Sequence, residues 1–209
     1  KLLKYINKRC NKVILSTGMA NLEEIKKAVK TLKNVKFLTI LQCTSVYPTS
    51  IDELNLNVIK TLKKMFKLPV GFSDHSLGNT AAILSVGAGC KVIEKHFTIN
   101  KNLKGPDHSM SLNPKELLLY IKNLRDCEKI LGDEKKLPTK NESNLIKYSR
   151  RGLFASKDIK KKEVIKKEHI NYKRPASFMS IIEEKKLIGK KAKFSIKEGS
   201  AFKKNMFKK

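Results

Sequence analysis

The chain has 209 residues, 40% of them apolar, and its 46 lysine and arginine residues against 19 acidic residues give a formal net charge of +27. This length and apolar share suit one ordinary domain with a small second one, and they exclude an intrinsically disordered chain. The four cysteines lack CxxC spacing and the apolar runs are far shorter than a membrane span, which excludes a disulfide scaffold and a transmembrane helix. We therefore expect a reduced, cytoplasmic protein with no membrane partner.

The strongly basic composition is the usual footprint of a protein that binds nucleic acid. Here the excess is almost entirely lysine, it is spread through every segment, and no stacking aromatic motif is interleaved with it. We therefore expect a solvated lysine surface and no nucleic-acid partner, although a diffuse positive field would still attract anionic substrates. The alternative, a nucleic-acid-binding protein, predicts an affinity that falls steeply with salt.

Up to residue 132 the chain alternates short apolar runs with amphipathic segments. After a helix end over residues 1–9, strands are predicted over residues 13–18, 36–43, 69–76 and 91–98. Each strand is followed by a predicted helix, over residues 22–32, 52–66, 79–88 and 114–131. Two helices begin with the spacing of a capping box, at Asn21 with Glu24 and at Asn113 with Glu116. The inward stripes include Val58, Leu62 and Met65 in the second helix, and Leu117, Ile121, Leu124 and Leu131 in the fourth.

Strands that alternate with helices pair in parallel through right-handed crossovers. The pattern therefore predicts an α/β fold, either an open doubly wound sheet or part of a (β/α)8 TIM barrel. Four units are half of such a barrel, and the chain begins without methionine or a helix cap. We expect residues 1–132 to form the second half of a TIM barrel whose first half precedes Lys1.

The sequence changes character after Gly132. Residues 133–149 are polar, contain Pro138 and lack a long apolar period, which is typical of an interdomain linker. Residues 150–209 contain short β-like runs separated by lysine-rich turns, over residues 152–155, 164–165, 171–174 and 192–196. These runs predict a second, small and mostly β domain.

Two of the four histidines, His75 and His96, lie at the carboxyl ends of the third and fourth predicted strands, where parallel sheets carry their chemistry. Alternation places Ser73 with His75 on one face, and Glu94 with His96 on one face. If the two strands are adjacent, two imidazoles point into one pocket with a hydroxyl and a carboxylate one step deeper, which is the outline of a divalent-metal site. A hydrogen-bonded core or surface histidine is the alternative for each.

Several motifs, taken in order, resemble the sialic acid synthase family. They are Leu-Ser-Thr-Gly-Met (residues 15–19), Cys-Thr-Ser-Val-Tyr-Pro (43–48), Gly-Phe-Ser-Asp-His-Ser-Leu-Gly (71–78), Val-Ile-Glu-Lys-His-Phe-Thr (92–98) and Gly-Pro-Asp-His (105–108). Arg150 and Arg151, residues 155–159, and Lys-Arg-Pro at residues 173–175 resemble the family's antifreeze-like SAF domain. The chain departs from the family at Ala176 and at Lys162, where a glycine-containing loop and a turn glycine are usual.

The resemblance implies a TIM barrel followed by a SAF domain, and a metal-dependent condensation of phosphoenolpyruvate with N-acetylmannosamine or a related N-acylated sugar. It implies a domain-swapped homodimer in which the SAF domain of one subunit reaches the other subunit's barrel. The residues that match functional positions are His75 and His96 for Mn²⁺ or Mg²⁺, Ser16, Ser45 and Ser73 for phosphoenolpyruvate, and Tyr47, Asp107 and Arg174 for the sugar.

In the implied reaction, carbon three of phosphoenolpyruvate attacks the sugar aldehyde, water adds at carbon two, and phosphate leaves. We expect Glu94 to transfer a proton or orient water, with an ion pair to a lysine as the alternative. Asp74 lies on the opposite face from His75, and we expect it to support a metal ligand or the fold rather than to act as a catalyst. The Gly105 to His108 motif favours an N-acetylmannosamine or legionaminic-type precursor over a pseudaminic one. We expect the 209 residues alone to be inactive, and a non-catalytic truncated fragment is the second alternative.

Overall fold

The computed structural model describes residues 1–176 and 178–207, without the side chain of Lys147, and divides into two compact units, Lys1–Asp133 and Glu134–Lys209. In the first unit helices and strands alternate as predicted. The strands are β1 (Lys12–Ser16), β2 (Phe37–Cys43), β3 (Val70–Asp74) and β4 (Ile93–Lys95). The helices are α1 (Leu2–Arg9), α2 (Leu22–Thr31), α3 (Val58–Phe66), α4 (Thr80–Gly87) and α5 (Pro114–Leu131).

The four strands form one parallel sheet in the order β1-β2-β3-β4. A doubly wound sheet reverses its strand order at a switch point, whereas a barrel adds each strand beside the previous one. The sequential order is therefore that of a barrel segment, and it confirms the second of the two predicted α/β architectures.

Apolar packing against the helices covers one face of the sheet. Ile40 of β2 and Val70 of β3 are fully buried against Ile25, Ile59 and Leu62 of α2 and α3. Because side chains alternate along a strand, the residues between them face the opposite side. We call the two sides the helix-facing side and the site-facing side of the sheet.

Two capping boxes form as predicted, and two elements, α3 and β4, differ clearly from their predicted bounds. Asn21 with Glu24, and Asn113 with Glu116, exchange side-chain and backbone hydrogen bonds at the starts of α2 and α5. Helix α3 begins at Val58 rather than at residue 52, because Asn55 adopts a positive φ of 41° that no α-helix continues through. Strand β4 is shorter than predicted because the chain leaves the ladder after Lys95.

The predicted inward stripes were partly wrong. Met65 is 40% exposed in α3, and Ile121 and Leu131 are exposed in α5. The buried residue of α5 is instead Tyr120, whose ring turns inward with a polar tip. A tyrosine buries its ring where its hydroxyl finds a partner, and hydrophobic periodicity alone does not reveal that partner.

The second unit is small and irregular. Its β5 (Gly152–Ala155) and β6 (Ile170–Lys173) pair antiparallel, while residues 164 and 192–196 take part only in isolated bridges rather than the predicted strands. A short helix α7 (Glu184–Leu187) and three 3₁₀ turns, Lys167–His169, Ile181–Glu183 and Lys204–Met206, lie between the paired residues. The core is apolar and contains Leu153, Ile159, Ile165, Leu187, Ile196 and Phe202.

The stretch assigned to a linker contains a helix that the sequence analysis did not predict, α6 (Lys140–Ser149). Thr139 caps its first turn and Glu142 bonds back to the Thr139 amide, a capping box that satisfies free backbone groups. The low apolar content hid this signal, since Leu145 and Tyr148 are both more than half exposed. No helix in the described part of the chain is long and apolar enough to cross a membrane.

Candidate active site

His75 is the first residue beyond the end of β3, and hydrogen bonds fix it on two sides. Its carbonyl accepts from the amide of Thr49 at 2.9 Å, and its ring Nδ1 lies 2.8 Å from the carbonyl oxygen of Thr44. A carbonyl only accepts, so Nδ1 carries the proton and Nε2 keeps a lone pair. The Nε2 lone pair of His75 therefore points away from Thr44.

Tyr47 and His96 surround that lone pair. The hydroxyl of Tyr47 donates to Nε2 of His75 at 2.6 Å, and the two rings lie 3.9 Å apart between centroids. His96 stands edge-on to both rings, with its centroid 4.6 Å from Tyr47 and 5.4 Å from His75. Nδ1 of His96 lies 3.8 Å from a carboxylate oxygen of Asp107. Four of the residues selected from the sequence therefore meet at one point.

Ser73 and Glu94 lie one step deeper, as the alternation predicted. They are register partners across the β3–β4 ladder, and the hydroxyl of Ser73 donates to Glu94 at 2.6 Å while lying 3.2 Å from Nε2 of His75. Glu94 is exposed and forms no ion pair with any residue that the structure describes. Its carboxylate is thus bound to a hydroxyl rather than to a lysine.

Burial tunes two groups of the cluster. Burial lowers the pKa of His75, against the opposing effect of its hydrogen bond to Thr44, so the imidazole stays neutral at neutral pH. Burial also raises the pKa of Tyr47, together with the negative groups around it, so its phenol remains a hydrogen-bond donor.

The donor set suits a divalent ion in part. One ring nitrogen of His75 is bonded to a backbone carbonyl, as is usual for a metal-binding histidine. The lone pair of the other nitrogen accepts the hydroxyl of Tyr47, which an ion would have to displace. His96 lies next to it with Asp107 behind. No group of three or more histidine, cysteine or acidic residues in the described ranges is arranged around a metal position. Two imidazoles therefore lie side by side, and an ion bound between them would take its further ligands from water or substrate.

The remaining selected residues lie outside this cluster. Ser45 contacts Cys43, whose sulfur is also 3.9 Å from Nδ1 of His75. Ser16 is exposed at the end of β1, two strands away from β3: it pairs with Leu41 of β2, which in turn pairs with Gly71 of β3. Arg174 is exposed and belongs to the second unit, just after β6.

Some participants were missed by reasoning from the sequence. The Thr44 acceptor is a backbone carbonyl, which no side chain advertises. His108 accepts or donates at 2.8 Å to the hydroxyl of Thr98, which helps to fold the loop that carries Asp107. Asp74 lies on the helix-facing side, as predicted, where it pairs with Lys95 and accepts a hydrogen bond from Tyr120.

The fold and this cluster define an α/β-barrel type of protein with polar groups gathered at the carboxyl ends of adjacent strands. A model of the NeuB family matches residues 1–136, and a model of the SAF domain matches residues 150–208. The chain therefore belongs to the NeuB family and carries a SAF domain, which confirms the resemblance to the sialic acid synthases.

Several relatives are named as synthases of legionaminic, pseudaminic or sialic acids. The chain is 44% identical to N,N'-diacetyllegionaminic acid synthase of Campylobacter jejuni over 200 residues, covering 94% of this chain and 60% of the relative. It is 38% identical to a pseudaminic acid synthase of the same species over 208 residues, covering 99% of this chain and 60% of the relative. The chain thus spans about 60% of the length of these relatives.

A solved structure is similar as well. The N-acetylneuraminic acid synthetase of Leptospira borgpetersenii, in complex with citrate, superposes with a TM-score of 0.63 at 38% identity. The match covers 69% of this chain and 51% of that one.

Proposed function

We propose that the protein is a nonulosonic acid synthase that condenses phosphoenolpyruvate with an N-acylated, mannosamine-type sugar and releases phosphate. The observation that carries this proposal is the cluster of two imidazoles, a phenol, a hydroxyl and a carboxylate at the carboxyl ends of β2, β3 and β4. Membership of the NeuB family and the names of the relatives support it.

The reaction balances with water as the third reactant. Carbon three of phosphoenolpyruvate forms a bond to the aldehyde carbon of the sugar, water adds at carbon two, and the bond from carbon two to the phosphate oxygen breaks. Glu94 is the proposed acceptor of the proton that water loses, since it is an exposed carboxylate oriented by the hydroxyl of Ser73. Tyr47 is the proposed donor to the sugar, because its phenol stays protonated.

His75 and His96 are the proposed ligands of a divalent ion, which when bound would polarise the aldehyde as a Lewis acid. Imidazole nitrogens are poor ligands for Mg²⁺, which prefers oxygen, and are more acceptable to Mn²⁺. We therefore expect Mn²⁺ to support turnover better than Mg²⁺. What the chain's own residues contribute is orientation, through the bond from His75 to Thr44 and the contact of His96 with Asp107.

The other assignments follow from the family motifs. Ser16, Ser45 and Ser73 are the proposed contacts for phosphoenolpyruvate, and Asp107 joins Tyr47 as a proposed sugar contact. The net charge of +27 favours the approach of a trianionic substrate without specifying where it binds. Among sugars we propose the N-acetylmannosamine or legionaminic type, on the basis of the Gly105 to His108 motif.

The test is phosphate release by the intact protein with phosphoenolpyruvate, Mn²⁺ and each candidate sugar in turn. We expect release that requires both substrates and stops on chelation. Absence of release with every sugar, under conditions in which the Campylobacter jejuni legionaminic synthase is active, would contradict the proposal.

The 209-residue chain by itself is a second arm of that experiment. On the site-facing side Ile14 and Phe37 are 57% and 63% exposed, and in the described sheet β1 pairs only with β2. An open apolar face beside an unpaired strand edge favours association over an ordered site, so we expect no turnover from the 209 residues. Turnover near that of the intact protein would show that these residues suffice.

Arg174 is proposed to complete the site of a partner subunit in a domain-swapped homodimer. We expect Arg174→Ala to raise the KM for the sugar about tenfold and that for phosphoenolpyruvate little, as loss of one charged contact implies. Mixing this variant with His75→Ala should restore part of the activity through hybrid dimers. Hybrids that form without regaining activity would exclude the role in trans.

A further inference from the structure

A buried polar network lies behind the candidate site, on the helix-facing side of the sheet. Asp74 and Lys95 are the last register partners of the β3–β4 ladder, and their charged groups approach to 3.1 Å. Their side chains are 0% and 6% exposed, so the ion pair is almost completely removed from water.

Each polar group of this network has a partner. One carboxylate oxygen of Asp74 accepts from the amide and the hydroxyl of Ser76, at 2.9 and 2.6 Å. The other oxygen accepts from the hydroxyl of Tyr120 in α5 at 2.7 Å, and Lys95 donates to the carbonyl of Ser76. Burial raises the pKa of Tyr120, so its phenol remains a donor. The network therefore joins β3, β4 and α5 with directed bonds.

The network stands where the backbone ladder stops. His75 lies between Asp74 and Ser76, and His96 follows Lys95, so each histidine is the first residue beyond the paired strands. From there the two carbonyls accept from different loops, His75 from the Thr49 amide and His96 from the Leu112 amide. The Asp74–Lys95 pair is thus the last register pair between the two segments that carry the imidazoles, and Lys95 extends the link to the carbonyl of Ser76.

Buried ion pairs are costly, because the loss of hydration can exceed the Coulombic gain. Apolar residues would fill this position beneath the helices with less penalty, as they do at Ile40 and Val70. What an ion pair with four hydrogen-bonded partners supplies, and apolar packing does not, is a fixed register and orientation.

We propose that Asp74, Lys95 and Tyr120 form a positioning network that sets the separation and orientation of His75 and His96. The arrangement of the two rings follows from the structure alone, whereas its consequence for metal affinity rests on the proposed function. The three residues are positioning residues, since they face away from the cluster and act through the histidine-bearing segments.

The first test uses Tyr120→Phe, which keeps the ring and removes only the hydroxyl, with exposed Tyr5→Phe as its matched control. Carbon-13-labelled histidine gives ring signals that single His→Gln substitutions assign. We expect the signals of His75 and His96 to shift by more than a linewidth in Tyr120→Phe, while His169 of the second unit stays in place and the control moves none of them.

The second variant is Asp74→Asn, which keeps the shape and removes the charge that faces Lys95. It should move the same two signals. A lower melting temperature with unmoved His75 and His96 signals would show that the network only stabilises the fold, and displacement of the His169 signal as well would show a global change; either result overturns the proposal. If Asp74→Asn does not fold, Tyr120→Phe decides alone.

Mn²⁺ separates this proposal from the proposed function. Bound Mn²⁺ should broaden the signals of His75 and His96, and its apparent affinity should fall about tenfold in Tyr120→Phe, the usual cost of disturbing groups that support a ligand. If Mn²⁺ broadens neither signal in the unsubstituted protein, the metal assignment fails, while the shifts of the ring signals still decide the positioning role.

Discussion

The two sides of the β3–β4 strand pair differ in burial and in hydrogen bonding. On the helix-facing side, Asp74 and Lys95 are almost fully buried, and each of their charged groups has an ion-pair or hydrogen-bond partner. On the site-facing side, Glu94 is exposed and the side chain of His96 is 29% exposed. Successive residues of one strand thus serve two different roles. In the positioning network that we propose, Asp74 and Lys95 on the helix-facing side orient the histidine-bearing segments, so the site-facing side needs fewer bonds of its own.

The largest expected effect comes from a substitution that disrupts the ion pair on the helix-facing side. Lys95→Met keeps a long flexible side chain and leaves the carboxylate of Asp74 buried without its cation, and breaking a buried pair in this way costs about 3–5 kcal/mol. We expect that loss in the free energy of unfolding, measured by urea denaturation.

Lys91→Met is the matched control for this variant. Lys91 is exposed just before β4, so its replacement should change the free energy of unfolding by less than about 0.5 kcal/mol. A loss below about 1 kcal/mol in Lys95→Met would mean that Asp74 finds another partner, and the contrast between the two sides would then be much weaker than the distances suggest.

The next largest effect comes from substitutions that remove an imidazole from the site-facing side. His75→Ala and His96→Ala should each lower metal-dependent turnover by at least about 100-fold, because groups that merely support a ligand already cost about 10–100-fold. The free energy of unfolding should fall by no more than about 2 kcal/mol, since the hydrogen bond from His75 to Thr44 is the main interaction lost. Steady-state kinetics after chelation and Mn²⁺ titration give the first quantity, and urea denaturation gives the second.

A comparison with His108→Gln sharpens this prediction. His108 contacts Thr98 rather than the other imidazoles, so its loss should reduce turnover less than loss of His75 or His96. Unchanged turnover in either alanine variant would refute the assignment of that histidine as a ligand.

The sequence predicted the site-facing side better than the helix-facing side. Alternation places Ser73 with His75 and Glu94 with His96, and the structure confirms that these strands are adjacent and that the residues meet. The roles assigned to them stay predictions. A period-two pattern states which face a side chain takes, and polar residues on a face that should be buried stand out in the sequence.

The helix-facing network was not predictable in the same way. Tyr120 lies 46 positions from Asp74, and the apolar stripe of α5 was drawn through Ile121 instead. A periodic pattern fixes a helix face to within about one residue, and the partner of a buried hydroxyl depends on how two elements pack. The start of α3 was misplaced for a similarly local reason, the positive φ of Asn55.

The smallest expected effect concerns the hydrogen bond between Tyr47 and His75 on the site-facing side, which an ion would have to displace. The hydroxyl of Tyr47 occupies the lone pair of His75 that an ion would need, at 2.6 Å. Tyr47→Phe keeps the ring contacts with both imidazoles and removes this competing hydroxyl. Mn²⁺ should therefore bind about 2–10 times more tightly, which corresponds to one hydrogen bond of about 0.5–1.5 kcal/mol. The KM for the sugar should rise in the same variant if the phenol is a sugar contact. Titration calorimetry with Mn²⁺ measures the affinity, with Tyr5→Phe as the control. Weaker binding in Tyr47→Phe would mean that the phenol helps to hold the ion rather than competing with it for His75.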